Sequence, residues 1–226
     1  MGDKQSIKRY RHVVWDWNGT LMDDLMLCLD IINKILQRRD LHEVDLERYR
    51  AVFGFPLPDY CRRLGFDLRR DPFEILNAEF GELYEARRCE CPLQKGVEQV
   101  LSSLLVKGVQ HTLLSAYEEE KLREIVAFYG LSAYFEAILG MDNDRGEGKV
   151  ERGRRCMEER GWQAEEMVYI GDTLHDAEVA EAMGIDCVLV AHGHQNRERL
   201  ASSGWPVVAD LHQIHALVGW ENSVQS

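Results

Sequence analysis

The sequence predicts an α/β protein: a doubly wound parallel sheet whose first strand is followed by an inserted all-helical cap domain. Three observations predict it. The apolar run His12-Val13-Val14-Trp15 stops at Asp16 and breaks at Gly19-Thr20, which reads as a strand and a tight loop. Residues 25 to about 90 carry helical periodicity and no convincing β-branched strand. After Pro92, short apolar strands alternate with helices, the pattern of parallel pairing through crossovers.

Each element follows from its residues. Leu25, Cys28, Leu29, Ile32, Ile35 and Leu36 recur on one helical face. Leu46, Tyr49 and Phe53 predict a second helix, Tyr60 and Leu64 a short third, and Phe73, Leu76, Phe80, Leu83 and Tyr84 a long fourth. Gly54-Phe55-Pro56-Leu57-Pro58 reads as a loop between them. Beyond Pro92 the reading is a helix from Val97 to Leu105, a strand from Val109 to Leu114 stopping at Ser115, and a helix from about Glu118 to Tyr129. A strand at Ala137 to Leu139, a helix from Lys149 to Arg160 and a strand at Met167 to Ile170 follow. Gly171-Asp172, a helix from Leu174 to Met183, strands at Cys187–Val190 and Val207-Val208, and a helix near Leu211 to Val218 complete the chain. The expected division is a core of residues 1–22 and 92–226 and a cap of residues 23–91.

Composition narrows the function. The 226 residues carry 27 Lys+Arg against 39 Asp+Glu, a net charge of −12, and 45% are hydrophobic. That apolar content supports a packed core and excludes a disordered chain. The acidic balance argues against nucleic acid as a partner, because phosphate backbones reward clustered Lys and Arg. No apolar run approaches the ~20 residues that span a bilayer, so no membrane partner is expected. Six cysteines without a C-x-x-C pair read as reduced thiols in a cytoplasmic protein. Met1-Gly2 with Ser6 formally fits a myristoylation pattern, which is short and common by chance. Oligomeric state stays open.

In an open α/β sheet, ligands bind beyond the carboxyl ends of the strands. Asp16, Ser115 and Gly171-Asp172 end three strands, Asp176 lies one turn into the next helix, and Lys149 opens another. Asp16, Asp172 and Asp176 together crowd three carboxylates, which resist ionising unless a cation intervenes. A hard, oxygen-seeking ion such as Mg²⁺ fits, with no His or Cys placed to compete. Lys149 and the Ser115 hydroxyl suit a phosphoryl group. A strand-edge Asp facing it can act as a covalent nucleophile.

Asp16-Trp17-Asn18-Gly19-Thr20-Leu21 resembles the first motif, D-x-D-G-T-L, of the haloacid dehalogenase superfamily. Ser115 resembles its second motif, Lys149 its third and Gly171-Asp172-Thr173-x-x-Asp176 its fourth. The 99 residues between Asp16 and Ser115 leave room for the helical cap of phosphoglycolate-phosphatase-like members. Gly54-Phe55-Pro56-Leu57 resembles the substrate-facing loop of that cap, and Gly193-His194 their late loop. The resemblance implies a Mg²⁺-dependent phosphomonoester hydrolase acting on a small phosphorylated metabolite through an aspartyl phosphate on Asp16. It implies that Ser115 and Lys149 hold phosphate oxygens, with Gly19, Thr20 and Ala116 beside them. The metal would lie between Asp16, the main-chain carbonyl of Asn18 and Asp172, with Asp176 in support.

The departure is Asn18, where the family's phosphatases carry an Asp that protonates the leaving oxygen and then activates water. An amide has no proton to exchange in this way, and losing a general acid–base costs about 10²- to 10⁴-fold. Three outcomes follow: slow hydrolysis, or hydrolysis restricted to activated acyl or aryl phosphates; substitution by a neighbour such as Asp23 or Asp24, whose simpler reading is a helix cap and first turn; or a persistent aspartyl phosphate, as in a protein that binds a phosphorylated metabolite and acts as receptor or scaffold. His192 and His194 read most simply as a polar loop. Trp17 reads as either a pocket wall or core.

Overall fold

The structure is a computed structural model that describes residues 10–141 and 148–214. Met1-Gly2, Ser6 and the final residues of the helix expected to reach Val218 lie outside them.

Among the described residues six strands form one sheet: β1 His12–Trp15, β2 Gln110–Glu118, β3 Ala137–Met141, β4 Met167–Gly171, β5 Asp186–Val190 and β6 Val207–Val208. Their order is β3-β2-β1-β4-β5-β6, and every pairing is parallel. Such sheets are covered on both faces, and all nine residues of β1 and β4 are buried. Side chains alternate across the strand, so Val13 and Trp15 enter one hydrophobic cluster while Val14 enters the other. The strand order turns about β1, which places the crevice for a ligand at the carboxyl ends of β2, β1 and β4.

Four helices follow β1: α1 Leu25–Gln37, α2 Leu46–Val52, α3 Leu57–Leu64 and α4 Phe73–Glu85. The remaining helices alternate with strands: α5 Val97–Val106, α6 Glu119–Phe128, α7 Lys149–Arg160, α8 Leu174–Met183 and α9 Arg197–Ala201. The two chain segments joining α1–α4 to the sheet run side by side. Met22 and Leu93 form an antiparallel bridge, the Asp23 N–H donates to the Pro92 carbonyl at 2.9 Å, and the Gln94 N–H donates to the Leu21 carbonyl at 2.8 Å.

Two local expectations are corrected. Leu57 and Pro58 open α3 rather than belonging to the preceding loop, because proline is pre-set for the first helical turn, where its missing N–H costs nothing. β2 does not stop at Ser115 but continues to Glu118, with its register against β3 shifting between Leu114 and Glu118. A bulge of this kind re-aims side chains beside a site, and here Ser115 lies inside it. At the far end, Leu211–Gln213 form a single 3₁₀ turn.

His111 is fully buried on β2. Its Nε2 donates to the Leu101 carbonyl at 3.1 Å and its Nδ1 accepts the Trp15 Nε1–H at 3.0 Å. A second proton has no acceptor, and burial lowers the group to about 4 from its ordinary 6.5. Between those values the unfolded chain binds more protons than the folded one, so stability is full above pH 6.5 and falls as the pH drops toward 4. From pH 7 to pH 5 His111 should remove roughly 2 kcal/mol of urea-unfolding free energy. In His111→Gln that part of the fall should be absent, and a variant with the wild-type pH slope contradicts the assignment.

Candidate active site

Adjacent strands bring the acidic residues together. Trp15 of β1 is in register with Leu113 of β2 and Ile170 of β4. Asp16, Ser115 and Asp172, each just past those positions, therefore meet at one edge. All three are buried. The Asp16 N–H donates to the Ile170 carbonyl at 2.9 Å, which fixes the backbone from which its side chain projects.

α8 begins with a capping box. The Thr173 hydroxyl accepts from the Asp176 N–H, and Asp176 Oδ2 accepts from the Thr173 N–H at 3.0 Å. The Thr173 hydroxyl also donates to Asp176 Oδ2, at 2.7 Å. Asp176 Oδ1 accepts from Lys149 Nζ at 2.9 Å, and the same ammonium donates to Asp16 Oδ1 at 2.7 Å. Lys149, at the start of α7, thus spans Asp16 and Asp176. Asp172 is held from the other side: Oδ1 accepts the Thr20 hydroxyl at 3.0 Å and Oδ2 the His194 N–H at 2.6 Å. Gly19, at φ +75°, and Gly193 close around it, and a Cβ at either would overlap the Asp172 carboxylate.

Asp16, Asp172 and Asp176 each place an oxygen within 4.8 Å of the others. Burial pushes Asp16 up to about 8, against the pull of Lys149 and with the push of the other two carboxylates. Burial also pushes Asp172 up to about 6, with Asp176 adding to it and His194 opposing. Asp176 sits below the usual carboxylate range, because Lys149 and Thr173 outweigh its burial. One buried ammonium thus bridges Asp16 and Asp176, while Asp172 beside them has no ion-pair contact with it. The donor set is all oxygen and the deficit is of positive charge, which fits a hard divalent cation.

The Asn18 side chain is turned toward a second carboxylate. Its Nδ2 donates to Asp24 Oδ2 at 2.7 Å and lies 2.6 Å from the Tyr84 hydroxyl. Asp24 precedes α1 but caps it with no side-chain hydrogen bond. It is a buried hub instead, accepting from Asn18, from the Tyr84 hydroxyl at 2.8 Å, from the Gly19 N–H at 2.9 Å and from His194 Nε2 at 3.0 Å. His194 Nδ1 lies 3.0 Å from the Tyr49 hydroxyl. Burial lowers His194, but the Asp24 carboxylate prevails and holds it at about 9. Burial raises Asp24, and His194 outweighs it, so Asp24 sits below its ordinary range. The result is a buried ion pair that ties α2 and α4 to the loop after β5.

Asp16, Asn18, Ser115, Ala116, Lys149 and Asp176 line one cavity, together with Asp24 and His194. Gly19, Thr20 and Asp172 lie outside its lining, and the Gly19 N–H is already given to Asp24 and the Met22 carbonyl. Trp17 is core, fully buried with its ring 6.1 Å from Tyr129. His192 is a loop residue bonded to the Thr20 carbonyl at 3.1 Å, and Asp23 remains in the linker. Sequence reasoning missed Tyr84, Tyr49 and the role of His194. Their signal is tertiary: three separate segments supply donors to one carboxylate. Asp24→Ala strands those donors, and should cost about 3–5 kcal/mol in urea unfolding; a loss below about 1 kcal/mol contradicts the hub.

A 5'-nucleotidase of Pseudomonas aeruginosa is 29% identical over 196 residues, covering 85% of this chain and 87% of that one. A phosphoglycolate phosphatase of Rhodobacter capsulatus is 24% identical, covering 92% and 94%. Tyrosine-protein kinase PtkA of Mycobacterium tuberculosis is 27% identical, covering 91% of this chain and 70% of its own. The crystal structure of a predicted phosphatase from Clostridium acetobutylicum superposes with a TM-score of 0.79 at 23% identity, over 94% of this chain and 99% of that one, and shows the same fold. The family model described as haloacid dehalogenase-like hydrolase matches residues 13–190. The chain belongs to that family.

Proposed function

We propose that this protein is a Mg²⁺-dependent phosphomonoester hydrolase that acts on a small phosphorylated metabolite through an aspartyl phosphate on Asp16. The observation that carries the reading is the convergence of Asp16, Ser115, Lys149 and Asp176 on one cavity, with an Asp172 oxygen within 4.8 Å of those of Asp16 and Asp176. Asp16 attacks phosphorus, the ester P–O bond breaks and the leaving oxygen departs with the electron pair, taking its proton from solvent. Water then attacks the same phosphorus, releasing inorganic phosphate and restoring the Asp16 carboxylate. Lys149 and the Ser115 hydroxyl bind phosphate oxygens. Mg²⁺, held by Asp16, Asp172 and the carbonyl of Asn18 with Asp176 in support, supplies charge neutralisation and orientation of the phosphoryl group.

Residues 23–91 act as a cap over a core of residues 1–22 and 92–226, in the cytoplasm. The paired segments at Leu21–Asp23 and Pro92–Gln94 are the hinge, since both crossings lie side by side. Closure excludes water and positions the leaving group.

Asn18 sets the limit on this chemistry. Its amide donates to Asp24 and has no proton to exchange with the leaving oxygen. Leaving groups that need no protonation are therefore favoured. In Asn18→Asp, the new carboxyl would lie beside Asp24, and two carboxylates at that range share a proton. That proton restores an acid at the site.

Two outcomes are expected. Chelation with EDTA should abolish phosphate release, Mg²⁺ should restore it, and Asp16→Asn should show none; turnover surviving in Asp16→Asn contradicts the nucleophile. Asn18→Asp should speed hydrolysis of an alkyl phosphate by about 10-fold or more while an aryl phosphate changes little. An Asn18→Asp enzyme no faster on the alkyl ester removes the proton-transfer argument. Saturable Mg²⁺-dependent binding of phosphorylated metabolites with no turnover of any gives the receptor reading instead.

A further inference from the structure

The cavity above the acidic centre measures about 400 Å³, within the range of small-molecule sites. Its cap side is mostly apolar, with Asp24, Asn77 and Glu85 as polar exceptions. Ile35 of α1, Phe53 beyond α2, Tyr60 of α3, and Phe73, Leu76 and Phe80 of α4 all line it. Phe53 and Tyr60 meet edge to face at 5.1 Å and both contact Tyr49, which makes this wall an aromatic cluster.

Charge in the same lining is distributed unevenly. Among the described residues its lysines are Lys149 and Lys121, and both belong to the core. Lys149 is shared between Asp16 and Asp176, and Lys121 pairs with Glu118 at 2.7 Å. No arginine among the described residues lines the cavity, whereas Glu85 and Glu118 do. His194 also lines the cavity but is paired with Asp24, so a leaving group with its own carboxylate would meet no unpaired cation among these groups and two glutamates. An apolar ring would meet surfaces that gain from being covered.

One polar atom stands out in this wall. The Tyr60 hydroxyl is buried and has no hydrogen-bond partner, although Tyr60 lines the cavity and is only 6% exposed. A buried hydroxyl without a partner is costly and calls for an explanation. A ligand that carries a hydrogen-bonding group into the apolar part of the cavity would satisfy it.

We infer that the substrate of this site is an aryl phosphate: a monoester of a phenol-like alcohol bearing a hydrogen-bonding substituent that reaches the Tyr60 hydroxyl. The inference rests on the phosphomonoesterase reading above and adds the leaving group to it. The chemistry agrees from the other end of the molecule. A phenoxide, with a conjugate-acid pKa of about 10, departs without the proton that Asn18 cannot give. Attack by Asp16 breaks the aryl O–P bond, the phenoxide leaves with the electron pair and takes its proton from solvent, and water completes hydrolysis.

The test uses the Mg²⁺-loaded full chain with 4-hydroxyphenyl phosphate, phenyl phosphate and phosphoglycolate, plus calorimetric binding of two inert analogues, benzylphosphonate and phosphonoacetate. Both aryl esters should exceed phosphoglycolate in kcat/KM by about 10-fold or more. Benzylphosphonate should bind more tightly than phosphonoacetate. Tyr60→Phe should lower the ratio of kcat/KM for the 4-hydroxy ester to that for phenyl phosphate by roughly 3- to 10-fold. Phosphoglycolate turned over faster than both aryl esters, or phosphonoacetate bound as tightly as benzylphosphonate, overturns the inference. A Tyr60→Phe variant that keeps the wild-type preference for the 4-hydroxy ester overturns the assigned contact. If nothing is turned over but benzylphosphonate still binds preferentially, the hydrolase reading falls and the aryl recognition stands.

Discussion

Three buried carboxylates are forced against one another at the edge of a parallel sheet, with a single lysine between them. Asp16 and Asp172 arrive there because β1 and β4 are neighbours in register, and Asp176 because the capping box of α8 locks it in the first turn. Lys149 spans Asp16 and Asp176 and so relieves part of the repulsion. The rest of the arrangement serves the same crowding: Thr20 and the His194 N–H hold Asp172, and Gly19 and Gly193 leave its carboxylate room. Burial makes the repulsion strong, since the low local dielectric magnifies every like-charge contact. It also leaves an all-oxygen donor set short of positive charge, which fits a hard divalent cation.

A second buried charge system does different work. Asp24 collects donors from the β1 loop, from α4 and from the loop after β5, and its partner His194 reaches Tyr49 of α2. Cap and core are thereby bonded to one carboxylate. A buried pair of this type contributes more to specifying an arrangement than to net stability, because desolvation offsets the Coulomb gain. Arg50 adds to the junction by donating to the Gly193 carbonyl at 2.9 Å. Asn18 belongs to this system through its side chain and to the acidic centre through its backbone position. The absence of a titratable group there is thus tied to how the cap is seated.

The sheet, the four inserted helices and the acidic edge were legible before any coordinates, because each is written locally. Apolar runs ending on Asp16 and Asp172 and the helical spacing of Leu25 to Leu36 need no distant partner to be read. Ser115 was legible as a polar residue near a strand end, but the bulge that carries β2 on to Glu118 was not, since it depends on the pairing with β3. Asp24 reads as a helix cap and His194 as a loop polar residue, and both positions hold, but their pairing was not legible because the partners lie 170 residues apart in the chain. Trp17, next to Asp16 in sequence, faces the core, because successive residues beyond β1 point to opposite sides. The apolar cavity and the unpartnered Tyr60 hydroxyl emerge only when α1, α3 and α4 are packed together.

The central claim is that these carboxylates gather a metal ion and offer Asp16 to phosphorus. A crystal structure of the protein with Mg²⁺ and beryllium fluoride, which mimics a phosphoryl group bonded to a carboxylate, tests it most directly. The account predicts beryllium bonded to an Asp16 carboxylate oxygen, Mg²⁺ coordinated by Asp16 and Asp172, and fluorines within hydrogen-bond reach of Lys149 and Ser115. Beryllium fluoride on another side chain, or a metal ion away from Asp16 and Asp172, would contradict it.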